Sequence, residues 1–184
     1  CRSLLDFALY VAFFPQLLAG PILRSGHFLP QLKRTEPVRD EEIVTGTELF
    51  ALGLFKKVVI ADNLAVVADK VFAAPDQFSG AAILIATIAF PIQIYCDFSG
   101  YSTMARGLGM WLGFDIPKNF DYPMLRTNPV EYRRAWHMTM GQWFTDYVYK
   151  PLGGSRVGDA KLLRNIMITW TLTGLWHGAD WHFV

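Results

Sequence analysis

Apolar residues cluster in four stretches of this chain, and one of them is long enough to cross a lipid bilayer. Residues 77–96, QFSGAAILIATIAFPIQIYC, form a run of 20 positions without a charged side chain. A membrane-spanning helix needs about 20 mostly apolar residues, so this run predicts a spanning helix. Pro91 lies inside the run and predicts a kink, because proline lacks the N–H that a helix uses for its hydrogen bonds.

The other three apolar stretches are shorter or interrupted. Residues 7–23 lack charge but contain two prolines and a glycine, and residues 165–179 lack charge over only 15 positions. The latter stretch is as consistent with a re-entrant or buried helix as with a full span. Residues 49–67 have helical spacing but include Lys56 and Lys57, which favours a helix in the interface or one that ends a span there. Such breaks are tolerated where they line a cavity enclosed by protein, and they favour an enzyme or a transporter over a simple anchor.

Two polar stretches separate the apolar ones. Residues 33–42, KRTEPVRDEE, predict a charged loop that leads into a helix. Residues 101–164 carry nine Lys and Arg against five Asp and Glu, whereas residues 1–100 carry eight against ten. A basic, aromatic-rich stretch beside membrane spans is typical of the cytoplasmic face, and it also suits contact with anionic lipid headgroups or an acidic partner.

The composition supports the membrane interpretation and excludes several other classes of protein. Hydrophobic residues make up 52% and charged residues 18% of the 184 positions, whereas soluble domains carry about 25% charged residues. Two cysteines are too few for a disulfide scaffold. A net charge of +1 gives no reason to expect nucleic acid as a partner. A soluble helical protein with a Trp-rich core is the alternative.

Of the four histidines, His177 has the most unusual surroundings. It lies in GLWHGADWHFV, at the end of the uncharged stretch 165–179. An ionisable residue within a membrane segment is by default a candidate functional residue, and burial would keep its imidazole neutral. A neutral imidazole beside a hydroxyl can act as the general base of acyl transfer. A hydrogen-bonded core histidine is the structural alternative.

A second histidine, His137, lies in the segment 131–149, whose periodicity predicts a helix. The aromatic and apolar residues of that segment recur at positions i, i+4, i+7 and i+11, namely Trp136, Met140, Trp143 and Tyr147. Helical spacing of this kind predicts one packed stripe. His137 would then point to a neighbouring face.

Three further features have ordinary structural interpretations. Asp97 follows the longest apolar run, where its carboxylate could cap the next helix or line a polar cavity. Residues 151–156, PLGGSR, predict a glycine turn, because they lack the spacing of a phosphate-binding loop. His177 and His182 are five positions apart and no HExxH motif occurs, so we expect no metal site.

Taken together, the motifs resemble the membrane-bound O-acyltransferases, and most closely the alginate O-acetyltransferase branch. They extend from one end of the chain to the other and are FFPQLLAGPILR (13–24), FLPQL (28–32), GLFKKVVIADNLA (53–65), QIYCDFSGYSTMARGLG (93–109), NFDYPML (119–125), EYRRAWHMTMGQWFTDYVYKPLGGSR (131–156) and TGLWHGADWHFV (173–184). The resemblance implies an all-α, multi-span transmembrane bundle with broken and re-entrant helices. It also implies that residues 1–184 are the central part of a single membrane domain that continues beyond both ends.

The resemblance further implies which residues form the site. The family's invariant histidine matches His177 and its second histidine matches His137, so both are predicted to be catalytic. Substrate contacts are assigned to four residues near them or at the end of the apolar run, namely Asp97, Arg134, Trp136 and Trp176. Arg134 and Trp136 lie in YRRAWH, which departs from the family's run at Ala135.

The activity implied by the resemblance is transfer of an acyl group, most simply acetyl, toward hydroxyls of an exopolysaccharide similar to alginate. The expected donor is an acyl thioester, either acetyl-CoA or an acyl carrier, that acts as substrate without a bound cofactor. Its phosphates could contact the basic stretch 101–164. Expected partners are membrane lipid, periplasmic acetyltransferases and the polysaccharide acceptor, in the inner membrane of a bacterium. D-alanyl transfer to teichoic-acid-type polymers and a non-catalytic, transporter-like role are the alternatives.

Overall fold

The computed structural model describes residues 3–183, which form helices and connecting turns without a β-strand. The α-helices are α1 (Leu4–Val11), α2 (Ser25–Gln31), α3 (Asp40–Leu54), α4 (Asp62–Ala73), α5 (Gly80–Trp111), α6 (Pro129–Ala135), α7 (Met138–Phe144) and α8 (Asp159–His177). Two π-helical segments continue helices, Phe55–Ala61 between α3 and α4 and Thr145–Tyr149 after α7. Short 3₁₀ turns lie at Phe14–Gln16, Pro75–Gln77, Pro123–Leu125 and Trp181–Phe183. The prediction of an all-α protein is confirmed.

A long helical hairpin dominates the structure. Helices α3 and α4, joined by their π-helical segment, pack along α5 in the opposite direction. At 1.5 Å per residue, the 32 residues of α5 extend about 48 Å. Within residues 3–183, α5 is the one helix whose length and hydropathy suit a membrane span.

Four glycines bring the two arms of this hairpin into close contact. Gly46 lies against Gly107, and Gly53 lies against Gly100, so the pairs are seven residues apart on both helices. A Cβ atom at position 53 would lie 2.5 Å from the carbonyl oxygen of Gly100. Small residues allow helix backbones to approach closely, which is a common packing mode between helices in membranes.

Residues 80–96 of the predicted spanning run form the first half of α5. The helix begins at Gly80 because the Ser79 hydroxyl caps it, accepting a hydrogen bond from the Ala82 N–H at 3.3 Å. It continues through Pro91 without ending. Its first half exposes large apolar side chains, including Leu84 and Ile85, whereas buried residues concentrate between positions 96 and 109.

The N-terminal stretch does not form a span. Helix α1 ends at Val11, and the chain turns at Phe14–Gln16 and returns toward α2. A cluster of Phe13, Leu23, Phe28 and Ile116 holds these segments against the residues that follow α5. The breaks that the sequence showed in residues 7–23 are therefore turns that lead into a packed aromatic core.

Two local predictions were wrong. Residues 131–149 are not one helix, because the chain breaks at Trp136 and His137, and His137 adopts the left-handed conformation with φ 44°. Trp136 therefore lies apart from α7, although Trp143 and Tyr147 do contact each other with ring centres 5.1 Å apart. Asp97 caps no helix, because it lies inside α5.

Two other local predictions are confirmed. Helix α3 begins at Asp40, at the end of the charged loop 33–42. Residues 151–156 form a glycine turn in which Gly153 and Gly154 have φ of 107° and 58°. The buried Asn165 side chain on α8 holds this turn by donating hydrogen bonds to the carbonyl oxygens of Leu152 and Gly154, each at 3.1 Å.

Candidate active site

The centre of the candidate site is Asn119, which follows α5 and is 1% exposed. Its side-chain Oδ1 accepts hydrogen bonds from the backbone N–H of Thr139 at 3.2 Å and from the Thr139 hydroxyl at 2.9 Å. Its Nδ2 donates to the Ser102 hydroxyl on α5 at 3.1 Å. Asn119 therefore connects the end of the long hairpin to the start of α7.

His137 donates the third hydrogen bond to Asn119. Its Nδ1 lies 3.1 Å from Asn119 Oδ1. Because that oxygen also accepts the N–H of Thr139, which can only donate, the amide orientation is fixed and Nδ1 of His137 carries the proton. The neutral ring then has its lone pair on Nε2, the atom that a general base uses.

Burial makes the neutral form of His137 the stable one. The residue is 3% exposed, and its ring packs edge-on against Phe98 with ring centres 4.7 Å apart. Burial, together with the nearby charges of Arg133 and His177, lowers the pKa of His137 from 6.5 to about 4. At neutral pH its imidazole is therefore uncharged.

His177 is the last residue of α8 and has the same tautomer. Its Nδ1 lies 2.7 Å from the carbonyl oxygen of Thr173, and a carbonyl can only accept, so Nδ1 is protonated and Nε2 is free. We expected burial to keep His177 neutral, but His177 is exposed among the described residues and His137 is the buried histidine. The reason is that α8 packs only one face of its last turn, where Thr173 and Gly174 are buried.

Trp176 lies between the two histidines. The centre of its ring is 5.9 Å from that of His137 and 5.0 Å from that of His177. The structure thus brings together three of the six predicted site residues. Trp176 is 54% exposed, which leaves ring surface free for a ligand.

Trp136 directly precedes His137, and Arg134 lies near the end of α6. Trp136 stacks on Tyr132 at 5.7 Å and meets Phe120 edge-on at 5.1 Å, so its ring is part of an aromatic cluster. Arg134 is exposed and lines a cavity of about 500 Å³ between α6, α7 and α8. Thr173, the hydrogen-bond partner of His177, lines the same cavity.

Asp97 lies on another side of α5. Its carboxylate pairs with Lys57 at 2.5 Å, and Lys57 also pairs with Asp62 at 2.8 Å. The adjacent residue, Phe98, is the one that faces His137. The structure therefore does not bring Asp97 together with the two histidines.

Sequence reasoning missed the residues that hold His137. Asn119, Thr139 and Ser102 all stand in the motifs that carry the family resemblance, but the resemblance assigns them no role. Arg133 was also missed: its guanidinium donates to the Trp136 carbonyl at 3.2 Å and lies 5.7 Å from the Trp170 ring centre. Their positions within those motifs were the available signal. The described residues contain no group of three His, Cys, Asp or Glu side chains placed to hold a metal ion.

The comparisons with known proteins agree on one family. The profile of the membrane-bound O-acyltransferase family matches residues 2–184. A probable alginate O-acetylase from Azotobacter vinelandii is 44% identical over 183 residues, which cover 100% of this chain and 36% of the relative. A peptidoglycan O-acetyltransferase from Helicobacter pylori is 40% identical over 182 residues, covering 98% and 34%.

A more distant relative is the teichoic acid D-alanyltransferase of Streptococcus thermophilus, which is 25% identical over 197 residues, covering 97% of this chain and 46% of the relative. The chain spans about a third of the length of the two O-acetylating relatives. Because the family match runs through the Asn119 segment and both histidine segments, the chain belongs to the membrane-bound O-acyltransferase family.

Proposed function

We propose that this chain carries the histidine site of a multi-span bacterial inner-membrane enzyme that transfers acetyl groups toward polysaccharide hydroxyls. The observation that supports it most is the pair of histidines that contact Trp176, each with Nδ1 bound to an acceptor and Nε2 free. The relatives at 44% and 40% identity are both named for O-acetylation. Residues 3–183 would then be the part of the bundle that holds both histidines.

In the proposed reaction the acceptor hydroxyl oxygen attacks the carbonyl carbon of an acyl thioester. The C–O bond forms as the C–S bond breaks, and the hydroxyl proton moves to Nε2 of His177 and from there to the departing sulfur. A positioned base contributes about 10²- to 10⁴-fold in rate. His137, which is neutral and fixed by Asn119, accepts a hydrogen bond at Nε2 and orients the hydroxyl-bearing reactant.

The remaining predicted residues have proposed supporting roles. Trp176 offers its exposed face to the acyl chain or a sugar ring, and Arg134 offers a positive charge at the mouth of the adjoining cavity. Trp136 shapes the wall beside His137 through its aromatic neighbours. Periplasmic acetyltransferases that receive the acetyl group, and an acyl-CoA or acyl-carrier donor, complete the proposal.

The test is the acetate content of the polymer made by cells that carry a His177→Ala variant. We expect polymer acetylation to fall by about 10²-fold or more, while immunoblots show normal accumulation of the variant in the membrane. His182→Ala is the matched control, because His182 is also exposed but its ring pairs with Asp180. Unchanged acetylation in the His177→Ala strain would exclude this role.

Transfer of D-alanine is the second candidate, and the teichoic acid D-alanyltransferase relative favours it. Mass spectrometry of the esterified polymer separates the two, because an acetyl ester adds a two-carbon group without nitrogen, whereas a D-alanyl ester adds an amine. Acetyl esters that disappear in the His177→Ala strain support the first candidate, and alanyl esters support the second.

A further inference from the structure

A second, smaller pocket lies on the other side of Asn119 from His137. It has a volume of about 120 Å³ and lies between the π-helical segment of the hairpin, the second half of α5 and the residues around position 120. Neither His137 nor His177 lines it. Sites for whole ligands measure about 300 Å³ or more, so this pocket suits one small group of a ligand.

Three cations converge on this pocket from separate elements. Lys56 comes from the π-helical segment, Arg106 from α5 and Lys118 from the segment before Asn119. Lys118 pairs with Asp121, but among residues 3–183 neither Lys56 nor Arg106 has a carboxylate partner. The charges of Lys56 and Lys118 also lie close enough to oppose each other. The pocket thus has two positive charges without counter-charges.

A buried hydroxyl completes the lining. Ser99 is 1% exposed and lines the pocket, and its Oγ has no satisfactory hydrogen-bond partner in the described part of the chain, although the Tyr95 hydroxyl lies near it. A buried polar atom without a good partner destabilises a fold. An oxyanion in the pocket would accept its hydrogen bond.

The backbone around the pocket is also unusual. Tyr122, at the rim, has φ 45°, and Tyr122 and His137 are the two non-glycine residues with positive φ among residues 3–183. Bulky residues rarely adopt this conformation. The Lys118 ammonium lies 5.2 Å from the centre of the Tyr122 ring.

We propose that this pocket binds the phosphoryl group of a phosphorylated ligand. Guanidinium and ammonium groups with a buried hydroxyl form the donor set that phosphate oxygens accept. The ligand is either a soluble phosphorylated thioester donor or an anionic lipid headgroup. A lipid headgroup is a candidate because the pocket begins where the apolar run of α5 ends. For a thioester donor the proposal deepens the proposed function and rests on it, whereas binding of phosphate itself needs no turnover.

The test measures binding of inorganic phosphate to the purified membrane protein in detergent. Lys56→Gln combined with Arg106→Gln should weaken phosphate binding by about tenfold or more, because each removes a charged hydrogen-bond donor. Arg106→Lys should retain most of the affinity. Lys161→Gln, which removes an exposed cation on α8, is the control and should leave binding unchanged. Equal phosphate affinity in the wild type and the double variant would overturn the proposal.

A milder variant keeps the proposal testable even where the double variant misfolds. Ser99→Ala removes the hydroxyl without changing the charge and should weaken phosphate binding by about fivefold. If Ser99→Ala binds phosphate as the wild type does and the double variant does not fold, the proposal is rejected.

Two further measurements distinguish the source of the phosphoryl group. Coenzyme A is compared with pantetheine, which has the same thiol arm without phosphate, and nanodiscs of phosphatidylcholine are compared with nanodiscs that also contain phosphatidic acid. Tighter binding of coenzyme A that is lost in the double variant supports a soluble donor. Stabilisation by phosphatidic acid that is lost in the double variant supports a lipid headgroup.

Discussion

Asn119 fixes His137 in one tautomer across 18 positions of sequence, because its Oδ1 accepts from His137 Nδ1 at 3.1 Å and also from the Thr139 N–H. We predict that Asn119→Asp keeps these hydrogen bonds but stabilises the imidazolium with a negative charge. The pKa of His137 then rises, and the neutral form is lost at a higher pH than in the wild type. The measurement is the pH–rate profile of acyl transfer, whose acidic limb should move upward. An unchanged limb would show that Asn119 has no influence on the catalytic protonation state.

The lowered pKa of His137 also predicts how the stability of the folded protein depends on pH. With a folded pKa of about 4 and an ordinary value of 6.5, the unfolded chain binds a proton first as the pH falls. His137 therefore favours folding above pH 6.5, and this contribution is lost progressively between pH 6.5 and about 4, by about 3 kcal/mol in all. Thermal unfolding between pH 7 and 4.5 measures it. The fall in Tm should be smaller in His137→Gln, and parallel curves for the two proteins would contradict the prediction.

The glycine contacts of the hairpin predict a sharp difference between two similar substitutions. Gly53→Ala places a methyl group 2.5 Å from the Gly100 carbonyl oxygen. The backbone there cannot move unless α3 and α5 separate. We expect a loss of about 1–3 kcal/mol, as for overpacking in other cores. Gly80→Ala, on α5, has nothing within 4 Å of the new methyl group and should leave Tm nearly unchanged. Equal Tm values for both variants would exclude close packing at Gly53.

The ion pair of Asp97 and Lys57 allows the assigned role of Asp97 to be tested. If Asp97 acts only through Lys57, Asp97→Asn and Lys57→Gln should reduce acyl transfer and Tm to the same extent, and the double variant should be no worse than either. If Asp97 contacts substrate, Asp97→Asn should raise KM for the acceptor while Lys57→Gln leaves it unchanged. The comparison of KM in the three variants decides between these outcomes, and the Asp97 assignment stays a prediction until then.

Part of the helical architecture could be predicted from apolar length and charge. Residues 80–96 of the uncharged run lie in the one described helix that suits a span, and the acidic residues 40–42 mark the start of α3. These features are local, since apolar length and first-turn carboxylates act on the helix that contains them. The multi-span arrangement stays a prediction, because contacts with other spans are not local.

The candidate site was only partly predictable, because its geometry depends on contacts distant in sequence. The histidine motifs identified His137 and His177, but at the break before α7 the contacts are with Asn119, which accepts hydrogen bonds from Thr139, 20 positions away. Helical periodicity in residues 131–149 gave no sign of that contact. The exposure of His177 and the burial of His137 likewise depend on how α8 and α5 pack. Local sequence patterns do not predict that packing.

The hairpin has one further consequence, for the depth of the site in the bilayer. Phe98, which contacts the His137 ring, lies 18 residues beyond Gly80 on α5, or about 27 Å along the helix axis. The hydrocarbon layer is about 30 Å thick, so, where α5 spans the bilayer, its first half would set the distance between His137 and the membrane surface near Gly80. Inserting one apolar helical turn into that half would lengthen this distance by about 5.4 Å without touching a residue of the site.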